Sequence, residues 1–330
     1  MGEPLEIAKV LVEPGMKLME LVGNAIGTVY APVHERKMAD AEAYKIKTIS
    51  EAVNEASLIP LTYEKDGISI NTTDINDLYR RAELREIQQK IREQKNIEGV
   101  IGYAQRELLD APKVPNTPVD DDWMDRLLNN AKEVSSATMQ FIWGRILAGE
   151  VVAPGSFSKR TLDIIRNLSQ KEAATFQKII PFVVHADGDL FITNESDIYE
   201  KYGITFEDLI LLDECGLLSS AGLVSLTQTL NGAPGLLIYT AKQLLSLDGA
   251  QSYPAKFTYG IHSLTSAGKE LFQILEYVPH ENYFFDLSEH IFKKSKGSNL
   301  SVHQVNSISG KNINYNNNAI RTYHTSKGST

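Results

Sequence analysis

Cysteine is almost missing from this chain: Cys215 is the single thiol in 330 residues. That excludes an intramolecular disulfide framework and fits a reducing compartment. No apolar run approaches the roughly 18 residues of a membrane span. The first residues lack a basic region ahead of an apolar core, so no secretory leader is expected. Neither G-x-x-x-x-G-K-[ST] nor G-x-G-x-x-G occurs, so nucleotide binding has no support. The seven histidines (34, 185, 262, 280, 290, 303 and 324) show neither H-E-x-x-H nor Cys/His ligand spacing. Catalytic residues, cofactor and metal are therefore all expected to be absent, and the sequence leans away from an enzyme.

Positive charge is also short, with a formal net charge of −9. Residues 161–280 hold seven Lys/Arg against fourteen Asp/Glu, whereas residues 281–330 hold six against three. An acidic body repels phosphate backbones, so nucleic-acid contact is expected only through the basic tail. Apolar residues at 42% and charged residues at 23% are ordinary for a globular protein.

What is present is mainly helical pattern. Leu18, Met19, Val22, Ala25, Ile26 and Val29 recur at spacings of three and four. Gly23 and Gly27 lie one turn apart on that helix and invite close approach of another. Pro32 ends it, and an alanine- and charge-rich helix follows over about Arg36–Ala56. Residues 60–74 are rich in turn formers and predict a short hairpin. Leu78 to Leu109 is the longest helical stretch. Its seam of Leu84, Ile87 and Ile91 then meets Gln94, Glu98 and Gln105, so it is a packed helix rather than a coiled coil. Pro112, Pro115 and Pro118 mark a stiff connector.

The central segment, 119–184, is heavily punctuated. Asp120–Asp122 supply a cap and first-turn carboxylates, followed by the face Trp123, Leu127, Ala131 and Val134. Ser135 or Ser136 starts the next helix, with Met139, Ile142, Trp143, Ile146 and Leu147 on one face and Gly149 expected just past its end. Pro154-Gly155 is a turn, and Ser156 or Ser158 starts a helix with Leu162, Ile165 and Leu168 inward. Ser169 and Glu172 form a capping box.

From about residue 185 the period becomes two. Leu190–Thr193 reads as a strand, Thr205-Phe-Glu-Asp208 caps a helix, and Gly216 stops it. Alternating runs follow at Val224–Leu230, Leu236–Thr240 and Phe257–Leu264, and Thr265 caps a further helix through Leu271, Ile274 and Leu275. Helix, helix, E-x-G-L-L, strands, L-T-x-x-G-x-x-L, helix is the order of a winged-helix module. The expected class is α+β, mainly α. An N-terminal multi-helix region (1–112) and the central segment precede a winged-helix-like part (185–280) and an extension (281–294). Residues 295–330, rich in Ser, Asn and Gly, read as a disordered basic tail or one that folds only against a partner. Within it, Ile308 to Ile313 is able to close a small hairpin.

Each reactive-looking group has a plainer reading. Ser156-Phe-Ser-Lys159 fits S-x-x-K, but no S-D-N or K-T-G follows, and the serines suit helix starts. Cys215 beside a helix C-terminus among leucines reads as an inert thiol. Asp187-Gly-Asp189 lacks the further oxygens of a calcium loop, and Asp120–Asp122 suit a helix start. The candidate interaction and packing residues are Gly23, Gly27, Trp123, Trp143 and Phe157. Both tryptophans lie on inward faces.

Trp143-Gly-Arg-Ile-Leu-Ala-Gly-Glu150, Pro154-Gly-Ser-Phe-Ser-Lys-Arg-Thr-Leu162 and Ser169-x-x-Glu172-Ala173 together resemble a bacterial family catalogued only as a domain of unknown function. Pro32-x-His34-x-Arg36-x-Met38-Ala39, the Gln94–Glu98 stretch and Leu264-Thr265-Ser-Ala-Gly268 extend the resemblance over roughly residues 15–290. The helical half is also similar, more weakly, to abortive-infection-type proteins. The resemblance implies a cytosolic bacterial protein in a phage-defence or mobile-element setting, and it supplies no catalytic residues. Three function classes follow: a non-enzymatic interaction or self-associating regulatory component, a winged-helix DNA-binding regulator, and a membrane-associating, infection-triggered effector using Met16–Tyr30.

Overall fold

The structure is a computed structural model that describes residues 17, 18, 20–22, 61–64, 67–70, 78–109, 111, 117–186, 188–219, 225–230, 234–248, 255–294, 299–310 and 312–324. Gly23, Gly27 and the helix expected over Arg36–Ala56 lie outside these residues, while Leu18 and Val22 are helical and buried. Two compact units divide the chain, Met1–Ser156 and Phe157–Thr330. The division falls inside the central segment read from the sequence, directly after the Pro154-Gly155 turn.

In the first unit, strands β1 (Leu61–Glu64) and β2 (Gly67–Ile70) pair antiparallel as the expected hairpin. Helix α1 (Leu78–Leu108) is the long one, followed by α2 (Asp121–Ala131) and α3 (Ala137–Val152). Asp120 caps α2 by accepting from the Trp123 backbone N–H at 2.8 Å. Ser136 occupies the cap position of α3 without a side-chain bond. Helices α1 and α3 approach so closely at Gly144 that a Cβ there would lie 2.4 Å from the Cβ of Tyr103. Only glycine permits that crossing. Gly149 is not the end of α3, because the helix runs one turn further to Val152. Glu150 lies on that extra turn, and its carboxylate accepts from the Gly155 N–H of the turn that follows.

The second unit begins with α4 (Lys159–Asn167) and α5 (Gln170–Ile179), capped by Ser158 and by the Ser169/Glu172 box. Strands β3 (Val184–Ala186) and β4 (Asp189–Thr193) precede α6 (Ser196–Tyr199) and α7 (Phe206–Glu214). Then come β5 (Leu218–Ser219), β6 (Ser225–Leu230), β7 (Pro234–Tyr239), β8 (Gln243–Asp248) and β9 (Ala255–Leu264). Helices α8 (Ser266–Phe272) and α9 (Glu281–Lys294) follow, and β10 (Asn299–Ser309), β11 (Asn312–Tyr315) and β12 (Arg321–Tyr323) end the described chain. All pairings in the ten-stranded sheet are antiparallel, in the order β11-β10-β8-β7-β3-β4-β9-β5, with β12 also on β10 and β6 also on β9. The α+β class with the larger helical share matches the expectation.

The disordered-tail expectation is corrected. Strand β10 lies between β8 and β12 and buries Leu300, Val302 and Val305. Three apolar residues are too few for a core of their own, but they suffice where an existing sheet supplies a ladder and an apolar face. The Ile308–Ile313 hairpin is present, with Ile308 paired to Ile313. Thr265 begins a shorter helix than expected, ending at Phe272.

Two sequence signals meet here. The Thr265 hydroxyl donates to the Gly216 carbonyl at 2.6 Å and accepts from the Gly268 N–H at 3.1 Å. Gly216 takes φ +78, the left-handed conformation that ends α7. A Cβ on Gly268 would come within 2.2 Å of the Leu217 carbonyl oxygen. E-x-G-L-L and L-T-x-x-G are therefore two halves of one junction.

Candidate functional site

Trp123, Trp143 and Phe157 are all buried, at 2%, 0% and 3% exposure. They are packing residues by position. The indole N–H groups of both tryptophans are buried without a hydrogen-bond partner among the described residues. The Ser156 hydroxyl donates to the Gly149 carbonyl and the Glu150 carboxylate, each at 3.4 Å. It is thus engaged in the turn. The half-buried Cys215 thiol donates to the Leu212 carbonyl, and burial pushes its pKa up. Gly188 takes φ +84 and Asp189 opens β4, pairing with Lys269 at 2.6 Å, while Asp187 lies outside the described residues.

Two surface features of the second unit remain. The first is the outer face of α7. The four charged residues of this helix, Glu207, Asp208, Asp213 and Glu214, are all acidic. Thr205 and Asp208 form its capping box, and Asp208 also pairs with Lys178 at 2.6 Å. Burial alone would raise the Asp208 carboxyl, but Lys178 and the Thr205 N–H hold it below the usual carboxylate range. At the head of the helix stands Phe206, 58% exposed. Leu209 and Leu212 are buried, Ile210 is half-buried, and Phe206 and Asp213 are exposed beside them.

The second feature joins the β4–α6 junction to α9. Glu195 sits at the cap position of α6, yet its side chain makes no cap bond. It is turned toward α9, where Lys294 bonds its Oε1 and His290 Nε2 lies 3.3 Å from the same atom. His290 and Lys294 are four residues apart and so share one face of α9. Asp197 completes a group in which one donor atom from each of Glu195, Asp197 and His290 lies within 4.8 Å of the others. Burial favours the neutral Glu195 carboxyl, while the bond from Lys294 and the proximity of His290 outweigh it and keep its pKa low. Sequence spacing had no means of finding this group, because its members come from two elements far apart in the chain.

Beside it, Asp286 accepts from the Tyr202 hydroxyl at 2.6 Å and pairs with Lys201 at 2.5 Å. Phe182, Tyr202, His280 and Tyr283 pack ring to ring, and the Tyr283 hydroxyl accepts from the Thr193 N–H at 3.2 Å. These contacts fix α9 against the end of β4, and thereby fix the positions of Glu195 and His290.

No helix among the described residues is long and apolar enough to cross a membrane. No curated protein and no solved structure matches the chain. A family model described as "Protein of unknown function (DUF2806)" matches residues 80–288, from the first turn of α1 into α9. That match takes in the Gly144 crossing, the Glu150 turn and the Gly216–Thr265 junction, and on it the chain belongs to the DUF2806 family.

Proposed function

We propose that the protein is a non-enzymatic docking component that presents the outer face of α7 to a protein partner with an apolar pocket and a basic rim. The ladder β4–β9–β5, with β9 in the middle and α6 and α7 between β4 and β5 in sequence, supports a winged-helix reading of this part. The β7–β8 hairpin, inserted between β6 and β9, replaces the simple wing and carries the sheet onward to β10. In that reading α7 takes the place of the helix that reads DNA. Its charge opposes such a role, since four carboxylates with no Lys or Arg repel a phosphate backbone.

The observation that carries the proposal is Phe206, exposed at the start of a helix whose charged residues are all acidic. Phe206, Ile210 and Asp213 follow the i, i+4, i+7 pattern of helix-in-groove anchors. Exposed aromatic anchors of this type dominate protein interfaces. The basic end of the chain offers less to DNA than its composition suggests, because Arg321 stacks on Phe285 and Tyr323, each at 5.3 Å.

The test uses the full-length protein and Phe206→Glu, with cross-linking and affinity capture from cells before and after phage challenge. A partner held by the parent through salt-sensitive contacts, and lost from a Phe206→Glu variant that melts normally, is the expected result. Salt-sensitive binding of duplex DNA by the parent, with no partner lost by Phe206→Glu, overturns it. Placement in a bacterial cytosol and in phage defence rests on the sequence resemblance alone. Plaque counts with and without the gene test that setting.

A further inference from the structure

We propose that Glu195, Asp197 and His290 form a three-ligand site for a divalent transition-metal ion of the zinc class, with Lys294 as a displaceable ammonium that competes for it. The proposal is independent of the docking role of α7.

The spacing of the donor atoms fits a metal site. Zinc binds imidazole nitrogen at about 2.0–2.1 Å and carboxylate oxygen at about 2.0–2.2 Å, which makes the edge of the coordination tetrahedron roughly 3.3–3.5 Å. The His290 Nε2 to Glu195 Oε1 separation is 3.3 Å. His290 Nε2 is buried and makes no hydrogen bond of good geometry among the described residues. Two donor atoms thus stand one ligand edge apart. The third oxygen, from Asp197, comes from an exposed residue within the same 4.8 Å group.

Two further features agree. Glu195 holds the cap position of α6 but gives up the cap bond, so its carboxylate is directed to His290 and Lys294 instead. The set of two carboxylates and one imidazole carries two negative charges, which a divalent cation neutralises and which suits borderline metals of the zinc type. Lys294 supplies only one positive charge. Its side chain is 40% exposed at the last turn of α9, so its ammonium has room to swing into solvent when a metal enters. Three protein ligands leave the fourth position of a tetrahedral ion to water.

The experiment titrates the full-length protein with Co2+ alone, reading the visible absorption of tetrahedral cobalt, and then displaces it with Zn2+ followed by calorimetry. The parent is expected to bind one equivalent. Asp197→Asn, at an exposed position that does not threaten the fold, and Glu195→Gln are each expected to weaken binding by about tenfold or more. His290→Ala removes the cobalt–nitrogen signature. Lys294→Ala acts in the opposite direction and tightens binding. Failure of the parent to bind either ion stoichiometrically overturns the site. So does binding that Asp197→Asn, Glu195→Gln and His290→Ala leave unchanged. Unchanged affinity in Lys294→Ala overturns the competing role of that lysine.

Discussion

The carboxylate of Glu150 accepts a hydrogen bond from the backbone N–H of Gly155 at 2.5 Å. Glu150 is 2% exposed, near the end of α3, and its other oxygen meets the Ser156 hydroxyl at 3.4 Å. One buried acid therefore holds the turn at Ala153–Ser156, where Gly155 adopts φ +87. Glu150→Ala is expected to lower unfolding free energy by about 2–3 kcal/mol, because turn donors lose a charged acceptor. Glu150→Gln, which keeps an acceptor oxygen, is expected to cost less. Urea unfolding of both variants checks the ranking.

Trp143 is fully buried, and its indole N–H has no hydrogen-bond partner among the described residues. Trp143→Ala is expected to cost about 3–5 kcal/mol through cavity formation. Trp143→Phe is expected to retain a good part of that stability, since the lost N–H bonds none of the described residues. A thermal melt of Trp143→Ala that overlays the parent contradicts the packing role.

At Gly268 an added methyl would strike the backbone oxygen of Leu217, which has no freedom to rotate away. Gly268→Ala is expected to cost about 1–3 kcal/mol by overpacking. Gly102, around which a methyl meets nothing within 4 Å, is the control, and Gly102→Ala is expected to be neutral or stabilising. Equal melting temperatures for the two variants would refute the close approach.

How much of this was legible beforehand depended on range. Ser169 with Glu172, and Thr205 with Asp208, were visible because a capping box is a local contract between residues three apart. Gly216 and Thr265 were each visible as punctuation, but not the bond between them, which joins distant segments. Strand β8 escaped because Gln243–Asp248 departs from clean alternation, and β10 because Asn and Ser dilute its Leu300/Val302/Val305 face. Glu195 and His290 were invisible for the same reason as the Gly216–Thr265 bond: tertiary structure alone makes them neighbours.

His185 stacks on Tyr239 at 4.8 Å and meets Phe272 edge-on, and burial lowers its pKa to about 4. The unfolded chain protonates first, near 6.5. Its contribution is therefore intact above pH 6.5 and is lost as pH falls toward 4. The stability difference between the parent and His185→Phe is expected to change by on the order of 2 kcal/mol between pH 7 and pH 4, and to be flat above pH 7. Chemical denaturation across that range reads it directly.

Removal of residues 295–330 takes β10 from the flank of β8 and exposes the apolar face that Leu300 and Val302 cover. The truncated chain is expected to melt several degrees lower and to lose solubility. A truncation that melts like the parent would restore the disordered reading of this segment.

On the far side of β10 the neighbouring chain is broken into two short pieces, β11 and β12, with residues 316–320 between them. The consequence concerns crowding in a cell. A long, flat border of free amides would template the stacking of one molecule onto the next, whereas short, interrupted pieces bearing Arg321 give an incoming strand nowhere to zip. What looks like an imperfect finish makes this border of the sheet a poor template for fibre growth.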